Sequence, residues 1–471
     1  MSTHFAPPTP ARTHPRRWTA LALICAAQFM LILDVTVVNV ALPALATDLD
    51  LGRTALTWVV TAYTLCFGGL MLLGGRLADA LGARRVLLTG LALFTAASLA
   101  CGLAPNATVL LAGRVAQGIG AALLSPAALA LVTTTFHGPE RARALGVWAA
   151  VGGTGSAVGV LLGGALTAGP GWPWVFFVNV PVGLALLLTL PKLLPRTTAA
   201  GARGLDIPGA VLVTAATGTL VYGLVRAGDA GWTSATTLLP LLGAIALYAA
   251  FTAAERSSPT PLMDLRMLTR RPVVAGSLLM LVATALLLSF FFLGSLRLQH
   301  VDGLDSLRTG LLFLPVALAT AIGAHLGSRL VTTAGPRACA TAGMALAAAG
   351  CLPLALLDDP DPWTTLMPAL ATAALGLGAV FVTATTTALG LVPAPEAGLA
   401  SGIVNTAHEL GGTLGIALAS TLALGTPPLT PTGFTTAFTT HTLTATTLAL
   451  TAPLLIPRGR PRPQGGAHGM H

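Results

Sequence analysis

Asp34, Arg114 and Glu409 each interrupt a long apolar stretch of a chain in which only 9% of residues are charged. Charged groups at such depth are expensive and mark ion or substrate pathways by default. Counting about 1.5 Å per helical residue, Asp34 falls roughly 12 Å from the outer end of the first stretch. Arg114 falls roughly 9 Å into the fourth by the same count, so the two sit at matching depth. Glu409 falls roughly 16 Å from the inner end of its stretch, near the midplane, beside Asn405 and His408. A carboxylate placed this way can trade a proton. Burial favours its protonated form, a neighbouring arginine favours the ionised one, and a conformational change that alters either switches it. The plainer alternative for Asp34 and Arg114 is a static ion pair that only holds two helices together.

The elements that position these groups follow from composition. With 54% hydrophobic residues and a mean hydropathy of +0.81 over 471 residues, the chain cannot hide its apolar side chains in one water-soluble core. Its apolar runs are continuous for about 20 residues instead of alternating at every second position, which predicts an all-α membrane protein rather than a barrel. Fourteen spans are expected, at 18–42, 55–74, 85–104, 108–135, 142–168, 173–194, 207–226, 236–254, 272–296, 308–331, 337–357, 363–391, 398–425 and 434–456. They group as a tail (1–17), a six-helix bundle (18–195), a linker with two extra helices and a cytoplasmic loop (196–271), a second six-helix bundle (272–457) and a tail (458–471). Ala44-Leu45-Ala46 has the look of a signal-peptidase site, but the run before it is long enough to span and more spans follow.

A repeat relates the two bundles. Sliding Gly74–Leu93 onward by 253 residues lays Gly74, Arg76, Gly82, Arg84 and Gly90 on Gly327, Arg329, Gly335, Arg337 and Gly343. Each copy reads as a basic, glycine-bearing hinge between apolar runs, and the pair implies parallel halves. Charge agrees with the span count. With the N-terminus inside, only Arg53, Arg226, Arg297 and Arg308 of the 25 basic residues fall on the outer side and Arg114 falls within a span. Both termini are therefore expected in the cytoplasm of a cell whose plasma membrane holds the chain. The net charge of +9 reports topology, not nucleic-acid binding, since no basic patch with interleaved aromatics exists.

Other chemistries lack their residues. The single lysine, Lys192, lies between Pro191 and Leu193, so no phosphate-cradling loop for ATP can form. His408-Glu409 opens a zinc-protease pattern, but Gly412 stands where the second histidine belongs, and no nucleophile elbow appears. The five cysteines are odd in number, lie in apolar spans and lack metal-ligand spacing, which suits inert packing. His441 is expected near the outer face. No catalytic residue, metal or cofactor is expected.

Leu33-Asp34-Val35-Thr36-Val37-Val38-Asn39-Val40-Ala41-Leu42-Pro43, the loop Gly75 to Arg85, the run from Leu110 through Arg114 to Gln117-Gly118, and Trp172-Pro173-Trp174 to Asn179-Val180-Pro181 carry a family resemblance. The chain resembles a 14-helix drug:proton antiporter of the major facilitator superfamily. That resemblance implies two six-helix bundles plus two central helices, with Asp34 and Arg114 in proton coupling; Glu409, from its depth and its neighbour His408, is a second candidate for that role. It implies a cytoplasmic latch at Gly75, Asp79, Gly82, Arg84 and Arg85, and Asp79 is expected to dock against the helix that begins near Ala397, whose free N–H groups favour an anion. In the fifth span Gly155, Gly159, Gly163 and Gly164 resemble the antiporter motif, although Val160 follows Gly159 where the family usually has proline. Their spacing gives a smooth face for close helix approach.

A substrate cavity lined by Phe29, Asn39, Trp58, Tyr63, Gln117, Asn405 and His408 suits neutral or singly charged lipophilic compounds. The leading functional expectation is proton-coupled export of such a molecule, a drug or antibiotic, by a monomer in lipid using alternating access. The alternative on the same fold is proton-coupled or facilitated uptake of a metabolite. A receptor or scaffold would need neither the repeat nor charges at depth.

Overall fold

The computed structural model describes residues 16–456, apart from most of 137–160 and from 195–205, 260, 262–264, 358, 391, 393–396 and 424–430. The first half holds α1 (Arg17–Asp48), α2 (Arg53–Leu81), α3 (Ala83–Gly102), α4 (Ala107–Thr135), α5 (described over 161–168 and at 155, 158 and 159) and α6 (Asn179–Leu193). Two central helices follow, α7 (Ile207–Ala230) and α8 (Ala235–Ser257). The second half holds α9 (Arg271–Leu296), α10 (Ser306–Thr333), α11 (Pro336–Leu356), α12 (Met367–Leu389), α13 (Ala397–Ala423) and α14 (Pro431–Leu455). No strand occurs among the described residues.

Among the described residues, eleven helices are long and apolar enough to cross a membrane. The others are α5, α13, which carries Asn405, His408 and Glu409, and the threonine-rich α14. Threonine is tolerated there because its hydroxyls donate back to the helix, Thr436 to the Thr432 carbonyl at 2.7 Å and Thr440 to the Thr436 carbonyl at 3.0 Å.

Several ends differ from expectation. Helix α1 continues through Pro43 to Asp48 instead of stopping at 42, since packed neighbours tolerate a proline inside a span. Helix α2 runs on to Leu81, so the hinge narrows to Gly82, whose φ of 94° is accessible to glycine. The span expected over 173–194 is present as Trp174–Leu193, with a break at Val178 between a short helical turn, Trp174–Phe177, and α6.

The repeat has a geometric counterpart. Gly335, 253 residues after Gly82, has a φ of 89°. Arg84 donates to the Pro191 carbonyl in the last turn of α6, and its counterpart Arg337 donates to the Ile456 carbonyl just past α14, both at 2.6 Å. Each bundle's third helix thus caps the free carbonyls ending its sixth. Close approach recurs as well: a Cβ on Gly90 would lie 2.6 Å from the Gly120 carbonyl oxygen, and one on Gly343 2.8 Å from that of Gly376. Such contacts need small residues, because in lipid it is packing that joins helices.

The helix ends carrying Asp48, Asp302 and Asp359 form one face, here the acidic face. At this face the halves meet. Gln299, on a π-helical turn (Arg297–Val301), donates to the Val40 carbonyl at 3.0 Å and accepts from Ser306 at 3.0 Å. Gly164 sits against Ser306, where a Cβ would lie 2.6 Å from its carbonyl oxygen. A second seam runs between α2 and α13, with hydroxyl pairs Thr57–Ser420 at 2.6 Å and Thr64–Thr413 at 2.7 Å. Helix α7 lies along that seam: Thr421 of α13 donates to the Leu224 carbonyl at 2.5 Å, and Gly69 of α2 abuts Thr214.

Candidate functional site

Asp34 and Arg114 are both fully buried and directly paired, Arg114 Nη1 to Asp34 Oδ2 at 2.5 Å. Local sequence explains the reach. Asn106 caps α4 by accepting from the Val109 N–H at 3.1 Å, and Gly118 then lets α4 press on α2, where a Cβ would lie 2.5 Å from the Tyr63 carbonyl oxygen. At that separation Arg114 Nε donates to the Val59 carbonyl at 2.8 Å, while its guanidinium lies 4.5 Å from the Tyr63 ring centroid and 5.9 Å from that of Phe176. Aromatic faces stand in for water around the cation.

The carboxylate is enclosed by donors. Gln117 Nε2 and Asn179 Nδ2 each donate to Asp34 Oδ1 at 3.1 Å. Gln117 also accepts from Arg114 at 2.9 Å and donates to Ser98 at 2.8 Å, which ties α3 into the network. An ion pair out of water survives only when its remaining hydrogen-bonding capacity is used. Here both carboxylate oxygens are engaged, as are Nε and Nη1 of the guanidinium, while Nη2 has no hydrogen-bond partner among the described residues. On α1 itself, Thr36 and Asn39 return their hydrogen bonds to the Leu33 and Val35 carbonyls at 3.0 and 2.8 Å, leaving Asp34 as the charge α1 presents at this depth.

Glu409 lies elsewhere, on α13 against Gly68 of α2. His408 Nδ1 is 3.2 Å from Glu409 Oε1, with side chains 43% and 14% exposed, and Asn405 is exposed. Phe381 of α12 flanks His408 at 6.0 Å between centroids. The structure therefore separates a sealed cluster at Asp34 from an accessible one at Glu409.

The expected cavity residues scatter. Gln117 and Tyr63 are fully buried and belong to the ionic cluster rather than to an open cavity. Trp58 packs with Val221 and Val225 of α7 and borders an apolar crevice of about 210 Å³ between α2 and α4. Phe29 and Asn39 remain on α1, Phe29 half-buried near Gly155 and Asn39 buried. His441, expected near the outer face, is buried against the Phe290 and Phe438 rings at 5.7 and 5.3 Å.

In the latch region Gly82 breaks the chain and Arg84 caps α6 within its own half. Arg85 is exposed, and Gly75 faces Pro126 at 3.8 Å from a built Cβ. The side chains of Asp79 and Ala397 lie outside the described residues. Gly155, Gly159 and Gly163 lie against Ile32, Thr36 and Val37 of α1, so the four-residue spacing seats α5 on the helix that carries Asp34.

Asn179, Ser98 and Phe176 were not anticipated as parts of the site. A signal for Asn179 existed: it is the one amide in the apolar run from 174 to 188.

Two parallel helical halves, the first of which holds a sealed intramembrane ion pair, define a polytopic membrane transporter. The family model of the Major Facilitator Superfamily matches residues 24–416, and the chain belongs to that superfamily. It is 41% identical to the puromycin resistance protein pur8 of Streptomyces alboniger, over 87% of this chain and 82% of that one. It is 38% identical to the cephamycin export protein CmcT of Amycolatopsis lactamdurans, over 86% and 84%. A solved POT family transporter in complex with a thioalcohol-conjugated peptide superposes with a TM-score of 0.68, covering 93% of this chain and 96% of that one at 13% identity, which speaks to fold alone.

Proposed function

We propose that the protein exports lipophilic antibiotic-like molecules across the plasma membrane as a monomer in lipid, exchanging them for protons at Asp34. The observation that carries this reading is the fully buried Asp34–Arg114 pair inside a movable two-half scaffold. Relatives named for puromycin resistance and cephamycin export support the substrate class. When Asp34 is ionised, Arg114 is neutralised. A proton on Asp34 leaves the guanidinium with one strong partner fewer, so the two protonation states favour different helix arrangements, and exchange between them couples proton entry to substrate exit. Glu409 with His408 offers a second protonatable group where solvent or substrate can reach it. The acidic face is the outer one and both termini are cytoplasmic, in keeping with the basic residues.

Proteoliposomes supplied with puromycin and an imposed pH gradient test this. Asp34→Asn is expected to keep puromycin binding while losing its pH dependence and all gradient-driven accumulation. If that variant still concentrates puromycin, Asp34 is structural and the coupling site moves to Glu409.

A further inference from the structure

The stretch from the turn at Trp172 to Asn179, the first residue of α6, makes three contacts on one side. Trp172 Nε1 donates to Asp48 Oδ2 at 2.6 Å, the Phe176 ring lies 5.9 Å from the Arg114 guanidinium, and Asn179 donates to Asp34. The spacings of four and three residues put all three on one side, toward α1 and α4. All three residues are buried, with exposures of 6%, 0% and 1%. The segment is also seated on α3, where Gly102 accepts the Phe177 ring and Gly183 faces Thr95.

Asp34 therefore has donors of two kinds. Arg114 and Gln117 both belong to α4 and bond each other at 2.9 Å, so they move as one body. Asn179 is the donor that does not, and the segment carrying it is pinned at the acidic face to the end of α1. We propose that Asn179 is a positioning residue that keeps Asp34 ionised while residues 172–179 lie against α1, and that withdrawal of this segment lets Asp34 take up a proton. The proton comes from a hydronium ion at the acidic face and forms an O–H bond at Oδ1, the acceptor that Asn179 vacates. This rests on the reading of Asp34 as the coupling carboxylate and adds what controls its loading. Donation to a carboxylate favours its charged form, so losing the donor must ease protonation.

Other groups near Asp34 do not supply this control. Among the described residues they are Arg114 from α4, Tyr63 from α2 and Cys101 from α3, with Glu409 of α13 within electrostatic reach of Tyr63. Residues 155–168, 179–191 and 272–296, from the other helices packed nearby, carry no charge.

Infrared titration of the purified protein in liposomes reads the protonated-carboxyl stretch directly, and the band that disappears in Asp34→Asn reports Asp34. In Asn179→Leu its midpoint is expected to move to higher pH by about one unit, roughly tenfold in proton affinity, as befits a lost hydrogen bond to a charged group. Asn179→Ser, which keeps a donor, should return most of that shift. It also carries the test should the leucine variant fail to insert, since its midpoint should then lie between that of the wild type and one unit above. An unchanged midpoint in Asn179→Leu, or equal shifts in the leucine and serine variants, overturns the role of Asn179 and leaves the coupling reading intact. Absence of any Asp34-dependent band overturns both.

Discussion

The two halves share a scaffold and differ in what they bury. The shift of 253 residues that aligns Gly82 with Gly335 and Arg84 with Arg337 places Met367 at the position of Arg114 and Leu287 at that of Asp34. Met367 is 4% exposed and sits in the apolar core of the second half. That half has its own buried arginine, Arg297, but at the acidic face, where it pairs with Asp302 at 3.6 Å and with the largely exposed Asp359, and lies 5.3 Å from the Phe434 ring centroid. Architecture therefore does not require a charge at depth. The first half carries a buried ion pair at positions that are apolar in the second, where the only carboxylate within a span, Glu409, is placed differently, which is what a task other than packing looks like.

The sharpest way to break this contrast is to truncate the matched positions. Arg114→Ala strands a buried carboxylate, a loss of about 3–5 kcal/mol unless Asp34 stays protonated, and should end gradient-driven transport. Met367→Ala should cost about 2–5 kcal/mol of stability while transport persists in the protein that folds. Efflux from proteoliposomes together with thermal unfolding separates the two, and equal loss of transport would dissolve the distinction.

The shared frame predicts equality instead. Gly82→Ala and Gly335→Ala each force a side chain into positive φ, at about 1–2 kcal/mol. Similar falls in unfolding temperature are expected. A large effect in one half alone would show that the repeat is no longer a mechanical equivalence.

The smallest effect concerns Asp302, the partner of the second half's buried arginine. Burial pushes the Asp302 carboxyl above its usual range, and Arg297 pulls it part of the way back. A raised value in the folded protein means stability that is present in acid and lost as pH climbs through that value. Asp302→Asn, neutral throughout, should match the wild type near pH 4 and unfold at a slightly higher temperature near pH 7, a window that opens at about 3.9. The opposite order at neutral pH would make the attraction to Arg297 the dominant force.

Much of this was legible in the residues. Asp34 and Arg114 could be matched because charges are scarce in the spans and depth can be counted, and the repeat could be seen because its arginines are scarce as well. What Arg84 binds could not be read, since its partner is a backbone carbonyl 107 residues onward and a carbonyl leaves no trace in residue type. Tyr63 and Trp58 looked alike as aromatic residues on one helix, yet one covers a guanidinium and the other meets α7. Only the rotation of α2 distinguishes them. Asn179 escaped because an amide carries no charge to flag it, although its isolation in an apolar run was visible.

Helices α7 and α8 give the molecule a handedness toward its surroundings that the repeat alone would not. A transporter of two equivalent halves has two lateral seams, and a solute dissolved in the bilayer could approach either. Here Thr214 and Leu224 of α7 already occupy the flank of the α2–α13 seam. A lipid-borne molecule approaching on that side meets α7 before it meets the seam.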